Sequence, residues 1–183
     1  GIRRWTRTEL RLWVADAVGA LYKLNPASGS VTATFQLVEG TLQTAPATWD
    51  VLTDVVRNKP NNGSYDYAIR LVDRATLDGV MPDWHGQSAS SVVDEWMPGN
   101  LKREFYVNPP ASTAAWVEAR GVLAPPVFTA DDDEITVPDL HVETLANYVV
   151  YRALSKDAEE GHAATAAAFY TAFERGSGLQ ATL

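Results

Sequence analysis

The sequence predicts a mixed α+β protein that is mainly α: a helical bundle with an inserted β-rich extension and a flexible C-terminal tail. Apolar residues recur at helical spacing near both ends of the 183-residue chain. Between these segments, short runs of β-branched and aromatic residues alternate with turn-forming Pro, Gly and Asn. The length and the 46% hydrophobic content favour one domain over residues 1–183. Within that domain we assign helices to 6–24, 45–58 and 139–176, the β-rich insertion to 64–126 and the tail to 177–183.

The first helix is predicted to begin at Thr6, because Thr6 and Glu9 have capping-box spacing. Asn25-Pro26 ends it. Apolar residues with i, i+3, i+4, i+7 spacing form the stripe that we expect in the core: Leu10, Trp13, Val14, Ala17, Val18 and Leu21.

A strand and a second helix are predicted next. Residues 31–38 alternate apolar and polar side chains, as a half-buried strand does. In the segment 45–58, Pro46 suits a first helical turn. The apolar residues that predict this helix are Trp49, Leu52, Val55 and Val56.

The middle of the chain is predicted to be β-rich. Residues 65–72 have the composition of a strand, and Asp73 is placed to cap a helical turn that reaches Val80. Three further strand-like runs, separated by the turn-forming segments "MPGN" and "NPPAS", cover residues 92–96, 103–107 and 116–122.

The last helical segment has two parts that join at residues 157–162. Asp139 is placed to cap the first part, and Gly176 ends the second. The two parts form either an antiparallel helix pair or one kinked helix. Their apolar stripes are Val142, Leu145, Ala146, Val149, Val150, Ala153 and Leu154 in the first, and Ala166, Phe169, Tyr170 and Phe173 in the second. We expect the first stripe, together with Phe169 and Phe173, to be core, and the alanine-rich face to meet neighbouring molecules.

The composition argues against several classes of function. A formal net charge of −8, with 15 scattered Lys and Arg residues, does not favour broad binding to phosphate backbones. Without cysteine, neither a disulfide framework nor a thiolate metal site can form. No run of about 18 apolar residues occurs, so we expect no membrane-spanning helix. Nucleophile-elbow, Walker and dinucleotide-binding glycine motifs are also absent from the sequence.

Few residues indicate chemistry. The histidines, His85, His141 and His162, lack the spacing of metal ligands, which favours structural roles. Asp78, Asp83 and His85 are a minor proton-transfer hypothesis, because no spacing forces them together. We therefore predict no catalytic residue, no metal site and no cofactor.

Acidic and aromatic residues indicate surfaces instead. The run 131–134 lacks the alternating ligands and the glycine of a calcium loop, which favours a solvated acidic loop that faces another subunit. Aromatic residues in turn-rich segments exceed what one small core needs, and some are predicted to anchor an interface. The predicted interface, with another subunit or with a partner protein, consists of Trp84, Trp96, Tyr106, Asp131, Asp132 and Asp133.

Five stretches, taken in order, resemble phage head-to-tail adaptor (connector) proteins. They are "WTRTELRLWVADAVGALYKLNP", "LQTAPATWDVLTDVVRN", "RATLDGVMPDWHG", "REFYVNPP" and "LANYVVYRALSKDAE". The resemblance covers nearly the whole chain, and its specificity comes from the ordered set rather than from any one stretch.

The resemblance implies a structural virion protein at the portal vertex or neck, without enzymatic activity, assembled in the cytoplasm of the host bacterium. About 12 copies would form a ring under the portal protein, extending the DNA channel. The ring would present the surface on which the tail nozzle or another tail protein assembles, and genomic DNA would pass through its lumen without specific binding. No membrane is implied. By position, portal docking would fall on Gly176, Ser177, Gly178, Leu179, Gln180, Ala181, Thr182 and Leu183.

Two alternatives remain open. The first is another neck or tail component, such as a head-completion or tail terminator protein. The second is a carboxylate enzyme or an aromatic-rich carbohydrate-binding module that uses Asp83, Trp84 and Trp96.

Overall fold

The structure, a computed structural model, describes residues 4–59, 67–156 and 162–178. About 39% of these residues are helical and 28% lie in strands, so the fold is mixed α+β. The prediction of a mainly helical bundle is therefore wrong. The chain divides into two compact units: residues 1–29 with 125–183, and residues 30–124. We call these the helical unit and the β unit.

The described residues form four α-helices and seven β-strands. The helices are α1 (Arg7–Leu24), α2 (Arg74–Val80), α3 (Val142–Lys156) and α4 (Ala163–Gly176). The strands are β1 (Ser30–Gln36), β2 (Gly40–Thr44), β3 (Trp49–Asn58), β4 (Arg70–Leu71), β5 (Glu95–Pro98), β6 (Glu104–Ala111) and β7 (Trp116–Leu123).

Helix α1 begins as its sequence predicts. The Glu9 backbone N–H donates to the Thr6 hydroxyl oxygen at 3.2 Å, and the Thr6 N–H donates to the Glu9 carboxylate at 2.9 Å. This capping box satisfies two backbone donors that the helix cannot satisfy itself. Most of the predicted stripe is buried, but Leu10 at its N-terminal end is 37% exposed.

Helices α3 and α4 pack as an antiparallel pair, which decides between the two arrangements that the sequence allows. The rings of Tyr148 and Phe173 lie 4.9 Å apart, as do those of Tyr151 and Tyr170. At the end of α4, a Cβ on Gly176 would come within 2.5 Å of the Thr144 hydroxyl oxygen. The close approach of the two helices therefore depends on glycine at this position.

The predicted cap of the first of these helices is wrong. Asp139 lies in a 3-10 turn, Asp139–His141, that precedes α3, and Pro138 occupies the cap position of that turn. This turn, which has no side-chain cap hydrogen bond, leads directly into α3.

The β unit contains two sheets around one core. The first has the strand order β1-β7-β3, and the second has the order β2-β6-β5-β4. The predicted strands at 31–38, 92–96, 103–107 and 116–122 correspond to β1, β5, β6 and β7, with shifted ends. Of the predicted strand 65–72, the described part forms β4, and residues 60–66 lie outside the described residues. The core that the sheets enclose includes Leu37, Trp49, Val55, Val93, Trp96, Phe105, Val107, Val117 and Ala119.

The predicted helix at 45–58 is wrong, because this segment contains β3. The pairing of β3 with β7 shifts register three times, after Trp49, Leu52 and Val55. Each bulge adds one residue to β3, so its core contacts recur every third residue instead of every second. A spacing of three resembles the 3.6-residue period of a helix, which is why the apolar pattern misleads.

Helix α2 confirms its predicted cap. The Thr76 N–H donates to the Asp73 carboxylate at 2.9 Å. Leu77 of this helix packs with Trp84 and Met97 in a small buried cluster of the β unit. The capped helix thus contributes Leu77 to this buried cluster.

Candidate functional site

An open, largely apolar groove in the helical unit is lined by α1, the segment 128–139 and α3. It consists of two cavities of about 310 and 430 Å³. Val14 and Ile135 line both cavities, so the two adjoin. We call the pair the α1–α3 groove. Apart from these shared residues, the apolar lining comprises Leu10, Phe128 and Ala130 in the smaller cavity, and Val137, Pro138, Val142, Leu145, Ala146, Val149 and Val150 in the larger.

The apolar stripe of α3, which the sequence predicts to be core, lines the larger cavity of this groove. Leu145 and Phe173 are buried as expected, but Val142 is 60% exposed and Val150 is 36% exposed. The prediction that the whole stripe is core is therefore wrong. Among the described residues, no element covers this part of α3, so its apolar side chains form a groove wall. Exposed apolar surface of this kind marks interaction sites in soluble proteins.

Ion pairs fix α3 against α1. Arg152 of α3 lies 2.7 Å from the Asp16 carboxylate, and Lys156 contacts Glu9. The hydrogen bond from Lys156, with those from Thr6, lowers the pKa of Glu9 to about 2. The hydrogen bond with the Tyr148 hydroxyl and the attraction of Asp16 raise the pKa of Arg152. Charged contacts at the surface thus connect the two helices beside the groove.

The acidic segment 131–134 is partly bonded within its own unit. Asp131 contacts Arg7 of α1, and its carboxylate lies 3.8 Å from Arg11. Asp133 accepts hydrogen bonds from the backbone N–H groups of Ala130 and Thr129, which lower its pKa. These contacts hold the segment at the mouth of the smaller cavity. A further role of the acidic residues, Asp132 included, in a subunit interface stays a prediction.

The three aromatic residues predicted at an interface lie in the β unit. Trp84 is fully buried and Trp96 is 4% exposed, while Tyr106 is half-buried beneath the Arg74 guanidinium, 4.7 Å from the ring centre. Both tryptophans therefore pack mainly within the chain. Their contribution to an interface, like that of Tyr106, stays a prediction.

Two residues of the proton-transfer hypothesis, Asp78 and His85, form hydrogen bonds with residues outside that group. The Trp84 indole N–H donates to Asp78 at 2.8 Å, and the His85 Nδ1 lies 2.7 Å from the Thr41 hydroxyl oxygen. Asp83 precedes the 3-10 turn Trp84–Gly86. These hydrogen bonds connect the 3-10 turn to α2 through Asp78 and to β2 through Thr41.

In the part of the chain that the structure describes, no group of three or more His, Asp or Glu residues is placed to hold a metal ion. Across residues 4–59, 67–156 and 162–178, no helix has both the length and the apolar character that crossing a membrane requires. His141 is buried in the turn before α3, and His162 precedes α4.

The predicted portal-docking segment begins inside the helical unit. Ser177 is fully buried, and its N–H donates to the Phe173 carbonyl at 2.9 Å. Gly178 adopts a φ of 87°, which ends α4 in a conformation that favours glycine. Residues 179–183 lie outside the described residues. The docking segment thus includes a structural cap as well as the tail that follows it.

Sequence reasoning missed the groove itself. Most of its apolar residues were predicted to be core, and Phe128, Ile135 and Val137 had no predicted role. Only Asp131 and Asp133, which line the smaller cavity, were predicted to lie at an interface. The available signal was the apolar content of 127–137, a segment that has no regular period but contacts α1 and α3.

A chain that combines a closed β unit with an open groove in a helical unit has the features of a protein that acts through its surfaces. The comparisons specify the class. The model of the SU10 adaptor protein family matches residues 2–182, and the chain belongs to that family. It is accordingly a phage adaptor-type structural protein, a component of the virion that interacts with other capsid or tail proteins. A comparison with curated proteins found no match.

Proposed function

We propose that this phage adaptor is a head-to-tail adaptor, which forms a ring of about 12 copies between the portal protein and the tail. The ring extends the DNA channel and offers the surface on which the tail assembles. The observation that carries the proposal is the family match over residues 2–182, which leaves almost none of the chain for another purpose. The role involves no catalytic step.

The open groove supports a role in assembly. In a closed ring, each subunit contacts its neighbours through two different surfaces. The α1–α3 groove is one apolar surface of the required kind, because Val142 and Val150 stay exposed in the isolated chain. Four alanines of α4 are also exposed and would permit close helix packing: Ala163, Ala164, Ala167 and Ala168.

The net charge of −8 supports the passage of DNA. Like charge in a lumen repels the phosphate backbone and prevents the duplex from binding to the ring wall. The same charge disfavours a role as a nucleic-acid reader.

The proposal is tested by mixing the purified chain with purified portal rings and measuring the assembled mass by native mass spectrometry. Head-to-tail adaptor function requires a complex whose added mass is a ring-sized multiple of 20.0 kDa. Binding to an isolated tail protein, with no binding to the portal, would instead favour another neck or tail component. Absence of binding to either would contradict the proposal.

Docking through the C-terminal tail is tested by truncation. Because Ser177 is buried and bonded to α4, the informative deletion removes residues 179–183 and keeps Ser177 and Gly178. The truncated chain should keep its melting temperature and lose portal attachment. The control, alanine in place of Thr171 on the exposed side of α4, should attach normally. Unimpaired attachment of the truncated chain would exclude tail docking.

A further inference from the structure

The sheets of the β unit end in four edge strands, and three of these have features that discourage pairing with another chain. Strand β2 is interrupted by a register shift between Gly40 and Leu42, and β4 has only two residues. Strand β3 contains three register shifts and is bridged on its outer side through Arg57 and Ala68. Bulges, short strands and covered edges are the usual protections against edge-to-edge association.

The edge strand β1 has none of these protections over its described length. Its seven residues, "SVTATFQ", include no charged residue and no proline. It pairs with β7 in one unbroken register from Ser30 to Gln36. The charged residues of the solvent face of this sheet lie on the other two strands, where Arg57 of β3 pairs with Glu118 of β7 at 3.0 Å. A long, regular and uncharged edge strand is a template for a further strand.

The outward backbone groups of β1 can be identified. The Leu37 N–H, one residue beyond the strand, donates to the Ala115 carbonyl at 2.9 Å. Since bonded and non-bonded pairs alternate in an antiparallel ladder, Val31, Ala33 and Phe35 bond to β7. The N–H and C=O groups of the residues between them, Thr32 and Thr34, point away from the sheet. Among the described strands, none lies on that side.

The sequence of β1 is complementary to itself when it is reversed about Ala33. Thr32 then faces Thr34, Val31 faces Phe35, and Ser30 faces Gln36. We propose that β1 is a self-association edge, which pairs antiparallel with β1 of a second copy of this chain about a two-fold axis at Ala33. The occupant is a second copy because the match in side-chain character is to the strand itself.

This register satisfies both backbone and side chains. Thr32 of one copy and Thr34 of the other become bonded pairs, so each exchanges two N–H···O=C bonds across the junction. The threonines are exposed, and their side chains lie opposite one another on the solvent face, where Thr–Thr pairs are favourable. No like charges meet, because the strand has no charged residue. Two three-stranded sheets would join into one continuous sheet.

The contact is isologous, because the same surface patch is used twice. A ring requires heterologous contacts, so this pair is a form of the protein outside the ring. It covers the unprotected edge of free copies before they meet the rest of the virion.

The test measures mass by sedimentation equilibrium over a range of concentrations. The unmodified chain should approach twice its 20.0 kDa as concentration rises. Thr34→Pro removes an outward N–H without losing a bond to β7, so the dimer dissociation constant should rise about tenfold or more. Thr34→Val keeps the backbone donor and a β-branched side chain, and should associate like the parent. Thermal melting of each variant verifies the fold.

A charge exchange tests the register independently of proline. Thr32→Lys with Thr34→Lys places like charges opposite each other twice and should give monomers. Thr32→Glu with Thr34→Lys places opposite charges there and should restore the dimer. In its own chain, the second variant also sets the new charges opposite Arg120 and Glu118 of β7, which favours the native sheet.

Three results would overturn the proposal. They are an unmodified chain that stays monomeric, a chain that forms only ring-sized species, and a dimer that is equally stable in the Thr34→Pro and double-lysine variants. The first would leave the edge for a strand of a different protein, and the last would assign the dimer to another surface. Portal binding by the monomeric variants is a separate readout, so failure here leaves the head-to-tail proposal standing.

Discussion

The two units use similar apolar side chains in opposite ways. In the β unit, Val55 and Val117 are fully buried between the sheets. In the helical unit, Val142 is 60% exposed and Val150 36% exposed on the wall of the α1–α3 groove. These two valines stabilise the β unit through burial, whereas the two valines on α3 remain exposed to solvent.

This difference follows from how the two kinds of surface are closed. In the β unit, residues from both sheets share one core, in which Phe105 and Val107 are fully buried. Helix α3 has two packed sides, one against α4 and one bonded to α1, and the stripe between them remains open. The chain thus combines a unit whose apolar residues are enclosed with a unit that keeps exposed apolar surface, which is the kind that marks interaction sites.

The largest expected effect comes from placing a charge in the closed unit. Val55→Asp puts an unpaired carboxylate into a fully buried position of β3. We expect it to lower the free energy of unfolding by roughly 3–5 kcal/mol, since no partner compensates the buried charge. Urea denaturation measures the change. An intact stability would mean that Val55 is not in the core.

Overpacking in the same unit should be the next largest effect. A Cβ on Gly121 would meet the Trp49 ring and lie 2.6 Å from the Val51 carbonyl oxygen. Gly121→Ala should therefore destabilise by about 1–3 kcal/mol. The matched control is Gly79→Ala in α2, where an added Cβ meets no described atom within 4 Å. That control should be neutral or slightly stabilising, because alanine is the better helix former. Equal effects of the two changes on urea unfolding would refute the packing at Gly121.

The same charge in the open unit should do little to stability. Val150→Asp would unfold the protein if the stripe of α3 were core, but Val150 is 36% exposed. We expect the free energy of unfolding to fall by only about 1 kcal/mol, because the carboxylate can reach solvent and only part of the valine's apolar contact is lost. Binding to the portal or to a neighbouring copy should weaken if the groove is the contact surface. If Val150→Asp instead unfolds the protein, then Val150 is a core residue and does not line an open groove.

The smallest effect concerns pH. The pKa of Glu9 is lowered from 4.5 to about 2, chiefly by its hydrogen bond with Lys156. A carboxyl group whose folded pKa is depressed stabilises the protein above its unfolded pKa, and that contribution is lost as pH falls through the folded pKa. The melting temperature should therefore decline between about pH 4.5 and pH 2 less steeply in Glu9→Gln than in the parent. Asp133, whose pKa is also lowered, supplies part of the remaining slope in both proteins. Identical slopes would show that the Glu9–Lys156 contact does not contribute to the stability of the helical unit.

Local patterns were sufficient to predict the features that depend on neighbours in the chain. The capping box of Thr6 and Glu9, the cap by Asp73 and the alternation in β1 each involve residues within a few positions of one another. The side chain and the backbone group that it satisfies lie in one short segment. The resemblance to adaptors had a similar source, since ordered stretches along the chain carried it, and the family match confirmed the adaptor class.

Patterns along the chain were therefore enough to predict the ends of α1 and α2, most strands of the β unit and the class of protein. That residues 49–58 form a bulged strand emerges only from the folded chain, because a core contact at every third residue suits a helix as well as a strand with regular bulges. The folded chain also decides that the stripe of α3 is a groove wall, because burial depends on what lies opposite a side chain, and that element comes from elsewhere in the chain or from another molecule.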